Sequence, residues 1–147
     1  MDMENKEDCI FCKIIKEEIA CYKIYENNFV LAFLDVNPQF KGHTLVIPKK
    51  HFENIFDCED KYLEEVIKAI KIISNHYKDV LGCSGINILN ASGKDAEQSV
   101  YHLHFHIVPR FSTDNFSFWP ATTNYKKEDL EKLTKLITLV KKNHNMM

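Results

Sequence analysis

Apolar and polar positions change period several times along the chain, which predicts a mixture of strands and helices. Short apolar or alternating runs predict strands, and longer runs with apolar residues three and four apart predict helices. The predicted order is α-β-β-β-α-β-β-α, typical of an α+β fold with a mainly antiparallel sheet. The predicted strands cover residues 22–26, 29–35, 43–48, 85–90 and 100–108, and the predicted helices cover 9–18, 59–81 and 126–142.

Capping and turn residues suggest where these elements begin and end. Asp8 is placed to cap the first helix and Asp57 the second, while Gly82 follows the second helix as a natural stop. Asn27 and Asn28 separate the first two strands and tolerate a tight hairpin turn. The third helix is predicted to be amphipathic, with an apolar stripe of Leu130, Leu133, Ile137 and Val140.

Length and composition are those of an ordinary globular protein. The chain has 147 residues, enough for one domain with a proper core, with 45% hydrophobic and 27% charged residues. A net charge of −2 gives no general attraction to nucleic acid or to an anionic membrane, and we expect neither as a partner. No apolar run approaches the roughly 20 residues of a membrane span. Arg110 is the only arginine, so we expect an anion site built on backbone amides and neutral side chains.

Cysteine usage favours a reducing compartment. There are five cysteines, an odd number, and the acidic start "MDMENKED" is unlike a secretory or transit segment. The sequence therefore predicts a cytoplasmic protein.

The stretch "VYHLHFHIV", residues 100–108, places histidines at alternate positions. On a strand, His102, His104 and His106 share one face, while the apolar residues between them face a core. The first and third histidines would lie about 13–14 Å apart, too far to share one metal ion without distortion. We therefore expect the histidines to divide their roles. The residues predicted for the opposite, core-facing side are Tyr101, Leu103, Phe105 and Ile107.

Cys9 and Cys12 have the C-x-x-C spacing of one half of a zinc site. No second C-x-x-C follows, so the remaining ligands must be histidines or carboxylates from elsewhere in the chain. A redox pair is less favoured because the cysteines precede the first strand. Two buried free thiols are the remaining alternative.

The stretch "QSVYHLHFHIV", residues 98–108, resembles the signature of the histidine-triad (HIT) family. The segments "CIFCKIIKEEI", "YENNFVLAFLDVNPQFKGHTLVIPKKH" and "GINILNASG" resemble blocks of bacterial-type HIT hydrolases near the phosphoramidase branch. The resemblance covers about residues 8–112 of a single domain, 1–147, whose extension 113–147 carries the third helix. It implies a five-stranded antiparallel protomer with two helices, a homodimer, and hydrolysis or transfer at a nucleotide α-phosphate.

The resemblance also implies roles for residues around the phosphate. His104 matches the nucleophile, and a neutral imidazole attacking phosphorus would give a labile nucleotidyl-histidine intermediate. His106 matches a residue that contacts phosphoryl oxygens or carries protons, and His43 one that supports the triad. Ser99 supplies a phosphate donor by the same match.

Further matches concern a purine nucleotide substrate. Asp35 matches the carboxylate that accepts bonds from the ribose hydroxyls. Asn90 matches a residue that holds phosphate oxygens, and Gln98 matches one that acts through its backbone or on the leaving-group side. The residues that match an apolar base pocket are Ile10, Phe11, Ile14, Phe33 and Val36.

Zinc-bearing members of the family complete the C-x-x-C with two histidines, which here are His51 and His102. The resemblance thus implies one structural zinc held by Cys9, Cys12, His51 and His102. Glu97 departs from the family, which usually has glycine before "QS". A carboxylate near a phosphate would repel it unless the side chain turns to solvent.

Three functions are consistent with these features. The first is a phosphoramidase-like nucleotide hydrolase or transferase acting through a nucleotidyl-histidine intermediate. The second is a dinucleoside polyphosphate hydrolase, which the shortage of arginine disfavours. The third is a nucleotide-binding scaffold without catalysis, which the intact histidine row with Gln98 and Ser99 disfavours.

Overall fold

A computed structural model describes residues 6–139 and divides the chain into two compact units, the first ending at Asp114 and the second beginning at Asn115. The first unit contains all five strands, two α-helices and the short 3-10 helix Lys94–Ala96, and the second contains the remaining α-helix. No helix among the described residues combines the length and apolarity needed to cross a membrane. The elements are α1 (Ile10–Ile15), β1 (Lys23–Glu26), β2 (Val30–Leu34), β3 (Thr44–Pro48), α2 (Asp60–Leu81), β4 (Gly85–Leu89), β5 (Phe105–Arg110) and α3 (Lys127–Ile137).

The five strands form one sheet in the order β1-β2-β3-β5-β4, and every neighbouring pair is antiparallel. The predicted α+β class is confirmed. The hairpin between β1 and β2 closes as expected, because Asn27 Oδ1 accepts from the backbone N–H groups of Phe29 and Val30 at 2.8 and 2.9 Å. The order leaves β1 and β4 as the two edges of the sheet.

The sheet separates two apolar cores. α2 packs on one face through Val66, Ala69, Ile70, Ile73 and Tyr77, the helical stripe expected from the sequence. On the other face, α1 packs against β2 and β3. The residues of this smaller core are Cys9, Phe11, Cys12, Ile14, Leu31, Phe33, Leu45 and Ile47.

β5 is shorter than predicted, because it begins at Phe105 rather than at residue 100. The backbone N–H of Leu103 donates to Phe52 O at 2.7 Å, in the loop after β3, so this segment pairs with a loop and not with a strand. The alternation of faces nevertheless holds, since Leu103, Phe105 and Ile107 lie in the α2 core. Tyr101 is only half-buried and belongs to neither core, so its predicted core position is wrong.

Both predicted N-caps were wrong. α1 has Cys9 as its N-cap, and the Cys9 sulfur accepts from the Cys12 N–H. α2 begins after Glu59, while the Asp57 carboxylate accepts from the N–H groups of Glu53 and Asn54 and holds the preceding turn. The predicted stop is confirmed, because Gly82 ends α2 with φ of 70°, in the left-handed region that favours glycine.

α3 occupies Lys127–Ile137 in the second unit. Leu130, Leu133 and Ile137 of the predicted stripe fall within it. Val140 and the predicted helix end at residue 142 lie outside the described residues.

Candidate functional site

A cavity of about 460 Å³ lies on the α1 side of the sheet, between α1, the end of β2 and the histidine segment. Asp35 and Ser99 line it together with His43, His104 and His106. Among the described residues that line this cavity, none is a lysine or an arginine. The predicted base-pocket residues all line it as well: Ile10, Phe11, Ile14, Phe33 and Val36.

The hydrogen bond that His104 makes fixes its tautomer. Its Nδ1 lies 2.8 Å from the carbonyl oxygen of His102, which can only accept, so Nδ1 carries the proton. Nε2 of a neutral ring then keeps its lone pair. Burial lowers the pKa of His104, and the ring is therefore neutral at pH 7. Phe11 contacts it edge-on at 5.3 Å between ring centroids and holds the ring in place.

His106 and His43 are joined by one hydrogen bond, with 2.8 Å between His106 Nδ1 and His43 Nε2. The register of the sheet brings these rings together. Leu45 of β3 lies opposite His106 of β5, and His43 is two residues before Leu45, so its side chain projects from the same face. Burial, with the neighbouring rings of His104 and His43, lowers the pKa of His106 to about 4. Burial also lowers the pKa of His43, against the opposing effect of Asp35. The two neutral rings share a single proton across this contact.

Asn90 and Gln98 do not line the cavity, and their side chains bind the protein itself. Asn90 Nδ2 donates to His104 O at 2.9 Å, which holds the backbone of the central histidine. Gln98 is buried and makes four hydrogen bonds: its amide donates to Glu53 O and Val100 O and accepts from Gly93 N and Asn54 Nδ2. A substrate contact through the Gln98 side chain therefore requires one of these bonds to break. The substrate roles of both residues stay predictions.

The backbone conformation of Glu97 explains why glycine is usual at this position. Its φ is 67°, in the left-handed region, and its side chain is exposed, as expected for a carboxylate that must avoid an anion. A side chain costs about 1 kcal/mol or more in this conformation. We expect Glu97→Gly to raise the free energy of unfolding by about 0.5–1 kcal/mol, because the released strain exceeds the added entropy of the unfolded chain. Urea denaturation measures this change.

The matched control for this substitution is Asp95→Gly. Asp95 is exposed in the short 3-10 helix directly before Glu97, carries the same charge, and is not among the positive-φ residues. Its replacement by glycine should destabilise the protein or leave it unchanged. Equal stability changes in the two variants would show that charge, and not backbone strain, is responsible.

The predicted zinc ligands form a compact cluster, in which one ligand atom each of Cys9, Cys12, His51 and His102 lies within 4.8 Å of all the others. The Cys9 sulfur lies 3.4 Å from His102 Nδ1, and the Cys12 sulfur lies 3.3 Å from His51 Nδ1 and 3.6 Å from His102 Nδ1. In a tetrahedral site with bonds of about 2.3 Å to sulfur and about 2.0 Å to nitrogen, neighbouring S and N atoms lie roughly 3.5 Å apart. The residues therefore fit zinc.

His102 is also in the tautomer that zinc needs. Its Nε2 lies 2.9 Å from Pro48 O and must donate, which leaves the Nδ1 lone pair directed at the cysteines. Burial lowers the pKa of His102 to about 4 and raises the pKa of Cys12 to about 12. A cation that binds here displaces the thiol proton.

Several parts of the site were missed from the sequence. Ile19, Ala20, Cys21, Leu45 and Val100 also line the cavity. The segment 19–21 joins α1 to β1 and carries no motif, so nothing in the pattern indicated it. The bond between Asn54 and Gln98, 44 residues apart in the chain, likewise has no local sequence signal.

The fold and the site define a class of small α+β proteins whose sheet presents a row of histidines to an apolar cavity. The HIT domain family profile matches residues 16–113. The chain is 43% identical to "Protein hit" of Bacillus subtilis, over 92% of this chain and 95% of that protein. It is 38% identical to an adenosine 5'-monophosphoramidase of Saccharomyces cerevisiae, over 87% of this chain and 77% of that protein.

A solved structure of a zinc-bound histidine-triad family protein from Mycobacterium smegmatis superposes with a TM-score of 0.73 at 32% identity, covering 90% of this chain and 94% of that one. This chain belongs to the HIT family. The predicted family and fold are thereby confirmed, and so is the prediction of an enzyme, because hydrolases of this family are among its relatives.

Proposed function

We propose that this protein is a nucleotide hydrolase that cleaves at the α-phosphate of a nucleoside phosphoramidate or a related nucleotide conjugate. The observation that carries the proposal is the tautomer of His104. The ring is neutral and buried, its Nδ1 proton is held by the His102 carbonyl, and it lines a cavity that also contains Asp35. A lone pair on Nε2 is what an attack on phosphorus requires.

The reaction proceeds in two displacements. Nε2 of His104 forms a bond to phosphorus while the bond from phosphorus to the leaving amine breaks, and the amine takes up a proton. Water then attacks phosphorus, the bond to Nε2 breaks, and nucleoside monophosphate leaves. In the first displacement, the neutral pair of His106 and His43 relays a proton from solvent to the leaving amine across the 2.8 Å bond between the rings. In the second displacement, the same pair takes the proton of the attacking water and returns it to solvent.

Neutral donors hold the phosphate in this proposal. Ser99 lines the cavity and donates through its hydroxyl group, and Asn90, which lies outside the lining, holds the backbone of His104 through its bond to His104 O. Preorganised donors of this kind stabilise the charge that develops on the phosphoryl oxygens. The absence of lysine and arginine among the described lining residues favours a single phosphate over a polyphosphate.

Asp35 and the apolar wall bind the nucleoside. The Asp35 side chain is 22% exposed at the end of β2 and accepts from the backbone N–H of Asn37 through Oδ1. Its remaining acceptor positions suit the vicinal hydroxyls of a ribose. Ile10 and Val36, 43% and 68% exposed, are apolar side chains left at the cavity mouth, where a purine base would cover them.

One assay separates this proposal from its alternatives. Purified protein is given adenosine 5'-phosphoramidate and, separately, a diadenosine polyphosphate, and release of AMP is measured. The proposal expects a much larger kcat/KM for the phosphoramidate. Preference for the polyphosphate would identify the other hydrolase activity, and AMP binding without turnover of either compound would identify a scaffold.

We also propose a homodimer formed through α2 and the edge strand β4. Ile67, Ile72 and Val80 of α2 and Ile88 of β4 are 49–59% exposed. Exposed apolar residues on α2, together with the sheet edge at β4, fit a second copy of the same surface. We expect the wild type to be a dimer at micromolar concentration, measured by light scattering, and Ile67→Lys to shift it toward monomer.

The control for this surface is Ile24→Lys on β1, at the opposite edge of the sheet, where Ile24 is 38% exposed. This variant should remain dimeric. A monomeric wild type would contradict the homodimer. If Ile24→Lys dissociates the dimer and Ile67→Lys does not, the interface lies at β1 and not at α2 and β4.

A further inference from the structure

A second cluster of metal-ligating side chains lies in the wall of the cavity. Asp35, His43 and His106 each offer one ligand atom, and the three atoms lie within 4.8 Å of one another. The sheet fixes them: Asp35 follows β2, His43 precedes β3, and His106 lies on β5, which are three adjacent strands. A backbone hydrogen bond of 3.0 Å from Asp35 N to His43 O ties the first two together.

The environment of the His43 ring indicates that a further group can bind to it. His43 is 5% exposed, and its Nδ1 is buried without a hydrogen-bond partner among the described residues. Asp35 Oδ2 lies 3.8 Å from this nitrogen. That distance is too long for a hydrogen bond, but it accommodates a cation bound to both atoms, with bonds of about 2.0 Å meeting at a wide angle.

We propose that Asp35, His43 and His106 form a binding site for a divalent transition-metal cation of the zinc type. Two imidazoles and one carboxylate suit zinc and its neighbours, whereas magnesium and calcium prefer oxygen ligands throughout. Three protein ligands leave a fourth position open toward the cavity. The His43–His106 hydrogen bond of 2.8 Å opens when His106 joins the cation.

This site is separate from the cysteine cluster, with which it shares no residue. It does overlap the proposed nucleotide site. The competition described next therefore rests on the proposed function, whereas the metal site itself does not. A cation held by Asp35 occupies the proposed ribose acceptor and engages the proton-carrying His106. Cation and nucleoside monophosphate therefore exclude one another, and zinc acts as an inhibitor competitive with the nucleotide.

Equilibrium dialysis against buffered zinc tests the site without any turnover. Wild-type protein should bind one zinc per chain more than His43→Asn. His76→Asn is the control, because His76 is an exposed histidine on α2, and it should match the wild type. Asp35→Asn, which preserves the shape of a partly exposed side chain, guards against misfolding at the buried His43 and should weaken the extra zinc at least tenfold.

Equal zinc content in wild type, His43→Asn and Asp35→Asn would overturn the metal site. A further arm adds AMP to the zinc-loaded wild type, which should lose one zinc per chain. If AMP leaves the extra zinc in place while His43→Asn removes it, the metal site stands, and the shared nucleotide position at Asp35 is wrong. Different results would therefore overturn the metal site and the proposed nucleotide position.

Discussion

His104→Ala is expected to lower kcat by at least about 10³-fold while leaving the binding of AMP within a fewfold of wild type. The substitution removes the atom that bonds to phosphorus and keeps Asp35 and the apolar side chains that hold the nucleoside, losing only the edge-on contact with Phe11. Steady-state assays with adenosine 5'-phosphoramidate give kcat, and calorimetric titration with AMP gives the dissociation constant. His76→Ala, on the exposed side of α2, is the control and should retain full activity.

A companion variant makes this test specific for nucleophilic catalysis. His104→Gly leaves a space beside Phe11 into which free imidazole fits, and added imidazole should restore part of the turnover. A histidine that only positions its neighbours would not be replaced in this way. Substantial activity in His104→Ala would remove His104 from the role of nucleophile.

The sequence predicted the elements well where their stability is local or periodic. The apolar stripe of α2 and the glycine that ends the helix are both present at their expected positions. The start of β5 could not be predicted, because Leu103 bonds to Phe52 O across 51 residues of sequence. The N-cap of α2 was mispredicted for a related reason. Asp57 can accept hydrogen bonds from the turn before it or from the helix after it, and tertiary packing decides which.

At the site too, some features could be predicted from the sequence and others depend on the fold. The spacing at residues 102, 104 and 106 correctly implied different partners for the three rings. The tautomers depend on the carbonyls of Pro48 and His102, which only the folded chain brings to these rings. The orphaned Nδ1 of His43 also has no sequence signal, because burial of an atom depends on the whole fold.

Removing the cysteine pair is the second substitution with a large expected effect. We propose that Cys9, Cys12, His51 and His102 hold one structural zinc, so Cys9→Ser combined with Cys12→Ser should lose it. The cluster joins the start of α1, the loop after β3 and the histidine segment, which are distant in sequence. With free zinc at about a thousand times its dissociation constant, the bound ion contributes about 4 kcal/mol to the free energy of unfolding. The double variant should lose stability of that order, measured by urea denaturation in zinc-containing buffer.

The effect should also reach His104. A zinc bound to His102 Nδ1 fixes this ring between the ion and Pro48 O, and the His102 carbonyl in turn orients His104. Loss of zinc should therefore lower kcat as well as stability, although the metal takes no part in the chemistry. Cys58→Ser is the control, because this thiol lies outside the cluster and does not line the cavity. The control should keep its zinc, its stability and its activity.

Metal analysis decides the outcome. Protein purified without a histidine tag, under reducing and chelator-free conditions and without added metal, should contain one zinc per chain. That zinc should be absent from the Cys9→Ser, Cys12→Ser variant. The sulfur ligands distinguish this zinc from one at Asp35, His43 and His106, because only the cysteine cluster gives zinc–sulfur distances of about 2.3 Å in X-ray absorption. A zinc-free wild type, or zinc that survives the loss of both cysteines in the same preparation, would contradict the structural site.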